Sequence, residues 1–261
     1  MPFNNNPYGQ QPEPQNPSEL FPSLWGSQED VDSATNTILA RVFMRMFVAL
    51  VVTAFVSLII QVSTPLRDML LWYPQIAFGA MIASVGVVFI MSFAMMKMSA
   101  ATANVMFFVY SILMGVALSS IFIIYTTGVI VQAFVIAAVM FAAMALYGTI
   151  AKRDLTRIGS LLFMGLVGII IASFINLIFF RDDMISLAIS YIGVVIFLGL
   201  TAYDTQRIKN MITSVNSGGE DCVMAGSREE AIKKISIYGA LSLYLNFINI
   251  FLKLLRIFSR R

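Results

Sequence analysis

Seven long apolar runs constrain this chain more than any other feature: Met46–Val62, Ile76–Met96, Ala103–Tyr125, Val129–Ile150, Ile158–Phe179, Met184–Tyr203 and Ile235–Ile257. Each approaches or exceeds the roughly 20 residues with which an α-helix crosses a bilayer. A spanning strand would alternate apolar and polar residues, and these runs do not. The expected fold is all-α, a polytopic seven-transmembrane-helix bundle spanning residues 41–261. The links are short. Pro65 and Pro74 bracket the first, Thr126-Thr127-Gly128 form the third and Arg181-Asp182-Asp183 the fifth, so successive helices should be antiparallel neighbours.

Composition agrees and narrows the chemistry. Of 261 residues, 59% are hydrophobic and 12% charged, against about 45–50% and about 25% in soluble domains. The lipid bilayer is therefore the first expected partner. A net charge of +3 is too small to argue for nucleic acid. Histidine is absent, which removes the usual metal ligand, general base and pH switch together. The one cysteine, Cys222, rules out an intramolecular disulfide or a thiolate cluster. No resident cofactor, no certain metal site and no enzymatic activity are expected. The first apolar run begins only near Met46, so no cleavable signal peptide is expected. Residues 1–40 read as a disordered cytoplasmic tail, with six of the eight prolines in its first 32 positions; Phe21, Leu24 and Trp25 have the chemistry to dock at a membrane interface, but read as ordinary residues of such a tail. A second polar segment, 211–234, reads as a flexible cytoplasmic loop. Its Glu220 and Asp221 cannot by themselves supply the six to eight oxygens that Ca²⁺ takes.

The basic residues set the orientation. With seven crossings, the N-terminal side carries Arg41, Arg45, Lys97, Lys152, Arg153, Arg157, Arg207, Lys209, Arg228, Lys233 and Lys234, and the other side carries Arg67, Arg181, Lys253, Arg256, Arg260 and Arg261. This bias places the N-terminus in the cytoplasm. The C-terminal basic cluster opposes the rule, but a 23-residue final run is long enough to span, and spanning is the expectation.

Polar residues inside the runs fall on helical faces. Tyr238, Ser242, Asn246, Asn249 and Lys253 share one face of the last run. Arg45, Ala49, Thr53, Ser57 and Gln61 share one in the first, and Asn104, Ser111, Gly115 and Ser119 one in the third. In the first and third runs such small and polar residues read as helix–helix glue. The stripe of the last run is too polar for glue alone, which makes that helix the expected centre of the bundle. Gly165, Gly168, Gly193 and Gly199 should allow close helix contact.

The remaining feature is Asp204, at the end of the sixth run in Gly199-Leu200-Thr201-Ala202-Tyr203-Asp204-Thr205-Gln206-Arg207. An acid inside a bilayer costs about 2.5–3.5 kcal/mol at a helix centre and less near an end, and is a functional candidate by default. A helix-end acid paired with Arg207 is the bland reading, weakened because acids are disfavoured at helix C-termini. An aspartyl protease needs two carboxylates sharing a proton, and no other run holds an interior acid. A serine protease needs an activating base, and there is no histidine. A gating or ion-coordinating carboxylate needs only one acid with neighbouring amides.

The stretch Gly199–Gln206 resembles the signature of the Bax inhibitor-1 family, the transmembrane Bax-inhibitor-motif proteins, in a bacterial-type member. Tyr110-Ser111-Ile112-Leu113-Met114-Gly115 with Leu118-Ser119-Ser120-Ile121-Phe122 resembles the family's third helix. Gly148-Thr149 with Lys152-Arg153-Asp154-Leu155-Thr156 resembles its loop before the fifth. Leu243-Tyr244-Leu245-Asn246-Phe247-Ile248-Asn249 resembles its last helix. The resemblance covers roughly Ala40 to Ile257. It implies a central last helix and a pH-sensitive calcium leak in an inner membrane, with calcium as the transported ion. Its sensor is two aspartates helped by a basic residue near the cytoplasmic end of the second helix. Asp204 matches the first aspartate, Lys97 is the candidate for the basic residue, and the second aspartate is replaced by Asn246. Asn249, Ser242 and Arg207 are the supporting candidates. Paired carboxylates repel and titrate together; a neutral amide does not repel, so any pH response should move to lower pH or vanish. The resemblance equally allows a non-transporting regulator that binds a membrane protease or a stress and survival partner.

Overall fold

The computed structural model describes residues 28–94, 97–151, 153–216 and 227–259, with side chains from residue 32 onward. The helices are α1 Gln28–Val62, α2 Thr64–Trp72, α3 Gln75–Ala94, α4 Ala100–Ser119, α5 Ile121–Ile124, α6 Thr127–Ile150, α7 Thr156–Ile175, α8 Asp183–Asn216 and α9 Arg228–Phe258. A π-helical turn, Asn176–Phe180, closes α7. The described residues contain no strand. Among the described residues, seven helices are long and apolar enough to cross a membrane, with α4 and α5 forming one of them. The chain is a polytopic helical bundle.

Two polar segments are more helical than their composition suggests. α1 begins at Gln28, inside the segment expected to be a tail to residue 40. Its extension carries an inner face of Thr35, Ile38 and Leu39, exposed by only 1%, 7% and 4%. The expected loop 211–234 is entered from both sides, by α8 as far as Asn216 and by α9 from Arg228. Ile212 and Val215 are fully buried there. Asn216 donates to the Thr35 hydroxyl at 3.2 Å and accepts from Arg228 Nη2 on its side-chain oxygen at 3.0 Å. The Ser227 hydroxyl caps α9 by accepting the Glu230 amide at 3.2 Å. The bundle therefore continues beyond the apolar zone as a short polar-faced collar. Tail residues 1–27, Lys152, Gly218-Gly219, Glu220-Asp221, Cys222, Arg260 and Arg261 lie outside the described residues. Pro65, expected in a link, instead occupies the first turn of α2, where its missing N–H costs nothing.

The centre of the bundle is α9. Its spanning window is 67% buried, against 11% for α3 and for α7. It packs on α8, α1, α6 and α4. Tyr244, at 0% exposure, shares a 2.7 Å hydrogen bond with Thr53 Oγ1, which also lies 2.9 Å from the Ser111 carbonyl. The Tyr110 ring meets Tyr244 edge-on at 5.2 Å. The polar stripes of α1 and α4 thus face each other beside α9. Gly115 sits where a side chain would strike Val56 and the Thr53 carbonyl. Gly148 faces the Ala202 carbonyl closely enough that no Cβ fits, which seats α6 against α8 two residues from Asp204. Of the glycines expected to allow close approach, Gly165, Gly193 and Gly199 do, against Ile196, Lys253 and Leu162; Gly168 has open space around it.

Candidate functional site

The site is built where α8 and α9 run side by side. α8 does not stop at Tyr203; it continues for several turns, so Asp204 is a mid-helix residue rather than a helix-end acid. Its flanking hydroxyls are satisfied within the helix. Thr201 Oγ1 donates to the Phe197 carbonyl and Thr205 Oγ1 to the Thr201 carbonyl, both at 2.8 Å. Asp204 has no such local outlet and turns to α9. Its Oδ2 accepts from Ser242 Oγ and from Asn246 Nδ2, each at 2.7 Å. Ser242 and Asn246 are one turn apart, so one carboxylate oxygen bridges two successive rungs of the stripe.

Arg207 makes no ion pair with Asp204 within 4.0 Å. Ion pairs within 4.0 Å include Arg67–Asp68, Lys233–Glu229 and Lys234–Glu230. The Arg207 guanidinium instead stands 5.8 Å from the centre of the Tyr238 ring. Asn249 turns back on its own helix, donating to the Leu245 carbonyl at 2.8 Å. Lys97 is exposed in the link between α3 and α4 and does not line the site. The structure therefore brings Asp204, Ser242 and Asn246 together, sets Arg207 on α8 and Asn249 on α9 around the same cavity without a hydrogen bond to Asp204, and leaves Lys97 elsewhere.

This cluster opens into a cavity of about 810 Å³ between α7, α8 and α9. Arg207, Tyr238 and Thr156 line it near the end where the chain enters the bundle, and Asn249, Ser173 and Lys253 line it towards the other. From Tyr238 to Lys253 the α9 wall rises about 22 Å, most of the thickness of a hydrocarbon core. The α7 wall, with Thr156, Ser160 and Ser173, is the part that sequence reasoning missed. Of these, Thr156 and Ser160 share a helical spacing, a signal weak against the apolar residues around them. Gly159 lets the Tyr203 ring lie directly on α7.

Gln206, the last residue of the motif, does not face the cavity chemistry. Its Nε2 donates to the carbonyls of Ala151 and Arg153 at 3.1 and 2.8 Å, and its Oε1 accepts the Leu155 amide at 2.8 Å. Lys209 Nζ donates to the Thr149 carbonyl at 3.1 Å. Four polar residues in a row thus divide their work: Asp204 binds α9, Thr205 its own helix, Gln206 the α6–α7 link and Arg207 an aromatic ring.

The family model for inhibitors of apoptosis-promoting Bax1 matches residues 35–261. The chain belongs to the Bax inhibitor-1 family. Among relatives of this Bax inhibitor-1 protein, the inner membrane protein YbhL of Escherichia coli K12 is 42% identical over 226 residues, covering 86% of this chain and 92% of YbhL. An uncharacterized protein of Borreliella burgdorferi is 41% identical, covering 87% of this chain and 93% of its own length. Protein RP147 of Rickettsia prowazekii is 37% identical, with 88% and 92% covered. In this Bax inhibitor-1 chain, Asp204 is the only carboxylate lining the cavity among the described residues. No group of three or more Asp, Glu, Cys or His residues stands ready for a metal among the described residues. A hard cation at Asp204 would take one charged ligand, neutral amide and hydroxyl oxygens, and water.

Proposed function

We propose that this protein is a cation leak of the inner membrane, with calcium as the favoured ion, and that Asp204 is the carboxylate the ion meets. The observation that carries this reading is the polar column of α9 facing a lone acid across a cavity that covers most of a bilayer's depth. Conduction needs a site attractive enough to enter and weak enough to leave, and one carboxylate with neutral neighbours meets both conditions. The chain needs no catalytic step for this role. Its N-terminus lies in the cytoplasm, on the side with more basic residues. Asn246 donates a neutral amide to Asp204 at 2.7 Å, so it is no second carboxylate to share a proton with Asp204.

The test is calcium entry into liposomes containing the purified protein, followed from about pH 5 to about pH 8, the range in which a physiological proton switch works. Asp204→Asn keeps the shape and both donors' positions while removing the charge, and flux should fall to the level of empty liposomes. Asn246→Asp sets a second carboxylate against the first, and two acids at that spacing share a proton, so flux should acquire a pH dependence. Unchanged flux in Asp204→Asn would overturn the carboxylate's role. Absent flux together with a stoichiometric co-purifying membrane protein would favour the regulator instead.

A further inference from the structure

Arg256, one of the basic residues near the chain's end that run against the charge bias, does not line the Asp204 cavity. It meets a second cavity. About 490 Å³ in volume, it is lined by Arg181, Arg256, Asn176, Ser173, Ser186 and Asp183 together with two apolar side chains. Ser173 also borders the Asp204 cavity, as does Lys253, one turn before Arg256.

Arg181 is placed there by an unusual backbone. Its φ of 51° makes it the one non-glycine residue with positive φ among the described residues, a conformation that costs about 1 kcal/mol or more. The surroundings fix it. The Arg181 amide donates to the Asn176 carbonyl at 2.6 Å, closing the π-helical turn. The buried Asn176 side chain then spans the link: Nδ2 donates to the Asp182 carbonyl at 3.0 Å and to the Ser186 hydroxyl at 2.7 Å, and Oδ1 accepts the Asp182 amide at 3.2 Å. A buried carboxamide and a π turn, a feature frequent at functional sites, hold one arginine above the start of α8. A second arginine comes from α9. Beside them Leu177, Ile178, Phe179 and Phe180 are exposed by 63–75%, an apolar strip at the end of a helix long enough to span a membrane.

We propose that this cavity binds the phosphate of an anionic phospholipid in the leaflet opposite the N-terminal side. Arg181 and Arg256 form the phosphate clamp, and the strip Leu177–Phe180 lies along the acyl chains. Guanidinium groups suit phosphate because their planar fork can donate two parallel hydrogen bonds. Basic pockets between spanning helices are known forms of headgroup recognition. Asp183 opposes the two arginines with a single charge, so the cavity stays net cationic and selects against neutral lipid rather than against all lipid.

The experiment uses the full-length protein in detergent, exposed to phosphatidylglycerol, to phosphatidylcholine or to inorganic phosphate. Retained lipid is counted by native mass spectrometry and thermal stability is followed in parallel. Wild type and Arg67→Gln, which removes a basic residue from the same end outside the cavity, should retain phosphatidylglycerol over phosphatidylcholine. Arg256→Gln should weaken that retention on the order of tenfold, the loss expected of a charge-assisted contact. Arg181→Gln with Arg256→Gln should abolish it. Asp183→Asn should strengthen it, a gain that a merely structural role would not produce. If the double variant does not fold, the Arg256→Gln and Asp183→Asn pair decides. Equal retention of phosphatidylglycerol by Arg256→Gln and wild type would overturn the site. Stabilisation by inorganic phosphate with no preference between the lipids would show a free-phosphate site and overturn the lipid assignment. None of these readouts depends on ion flux.

Discussion

Asp204 and Gln206 stand two positions apart on α8 and are polar for opposite reasons. Asp204 accepts from neutral donors and keeps Oδ1 without a hydrogen bond from any described residue, which leaves capacity for a ligand. Gln206 spends its side chain on three backbone groups of the α6–α7 link and has little left to offer. Gln206→Ala should therefore act on stability. It strands the Leu155 amide beside a buried side chain, and an unpaired buried group costs about 1–3 kcal/mol. A lowered melting temperature, with calcium flux surviving in the folded fraction, is the expected result. The same link holds a titrating group. The Thr156 hydroxyl, and after it the Thr156 amide, hold the exposed Asp154 carboxyl below its ordinary range. A carboxylate with a depressed pKa adds stability that is present above its unfolded value, near 3.9, and is lost as pH falls through the folded value. Thr156→Val removes the larger cause. Its melting temperature should lie below wild type at neutral pH, and the gap should narrow below about pH 4; a gap that persists at low pH would assign the effect to lost packing.

At the scale of helices, contact between α8 and its neighbours rests on missing side chains. A methyl at Gly148 would meet the Ala202 carbonyl, backbone that cannot rotate aside, whereas Gly168 on α7 has nothing within 4 Å. Gly148→Ala should destabilise by about 1–3 kcal/mol, the usual range for overpacking. Gly168→Ala should be neutral or slightly stabilising, since alanine is the better helix former. Thermal unfolding of the two variants in one detergent checks the contrast, and equal effects would mean that α6 and α8 adjust freely. The contrast also shows what a sequence can reveal. Both glycines sit in apolar helical runs and look alike; only the tertiary approach of α6 to α8 separates them. The spans themselves were legible because hydropathy is local. The helical collar was not, because Thr35, Asn216 and Arg228 satisfy one another across the fold. Asp204 and the Ser242–Asn246 stripe stood out as polarity where lipid offers no partner. The α7 wall did not, since Thr156, Ser160 and Ser173 carry too little polarity to rise above their neighbours.

For the molecule as a whole, the decisive geometry is that α9 is one uninterrupted helix of 31 residues, about 46 Å long. Its second turn carries Lys233, whose carbonyl accepts from Arg45 Nη1 at 3.5 Å; near its other end Arg256 lines the cavity with Arg181 and Asp183. A helix with its ends at opposite faces of the bundle cannot re-enter, so the charge rule and the geometry make different predictions about the C-terminus. Burial decides between them. Two-thirds of the α9 window is inside protein, so withdrawing its C-terminal half would strip α1, α6 and α8 of their central partner, a cost far above the roughly 1 kcal/mol that each basic residue near a charged leaflet contributes. Reporter domains fused at the two termini should accordingly fall on opposite sides, the N-terminal one in the cytoplasm. Neutralising Lys253 and Arg256 together should leave that topology unchanged, since those charges yield to packing rather than direct it. If both reporters were cytoplasmic in wild type and separated only in the neutralised variant, charge would outweigh the core, and α9 would not cross the membrane as it crosses the bundle.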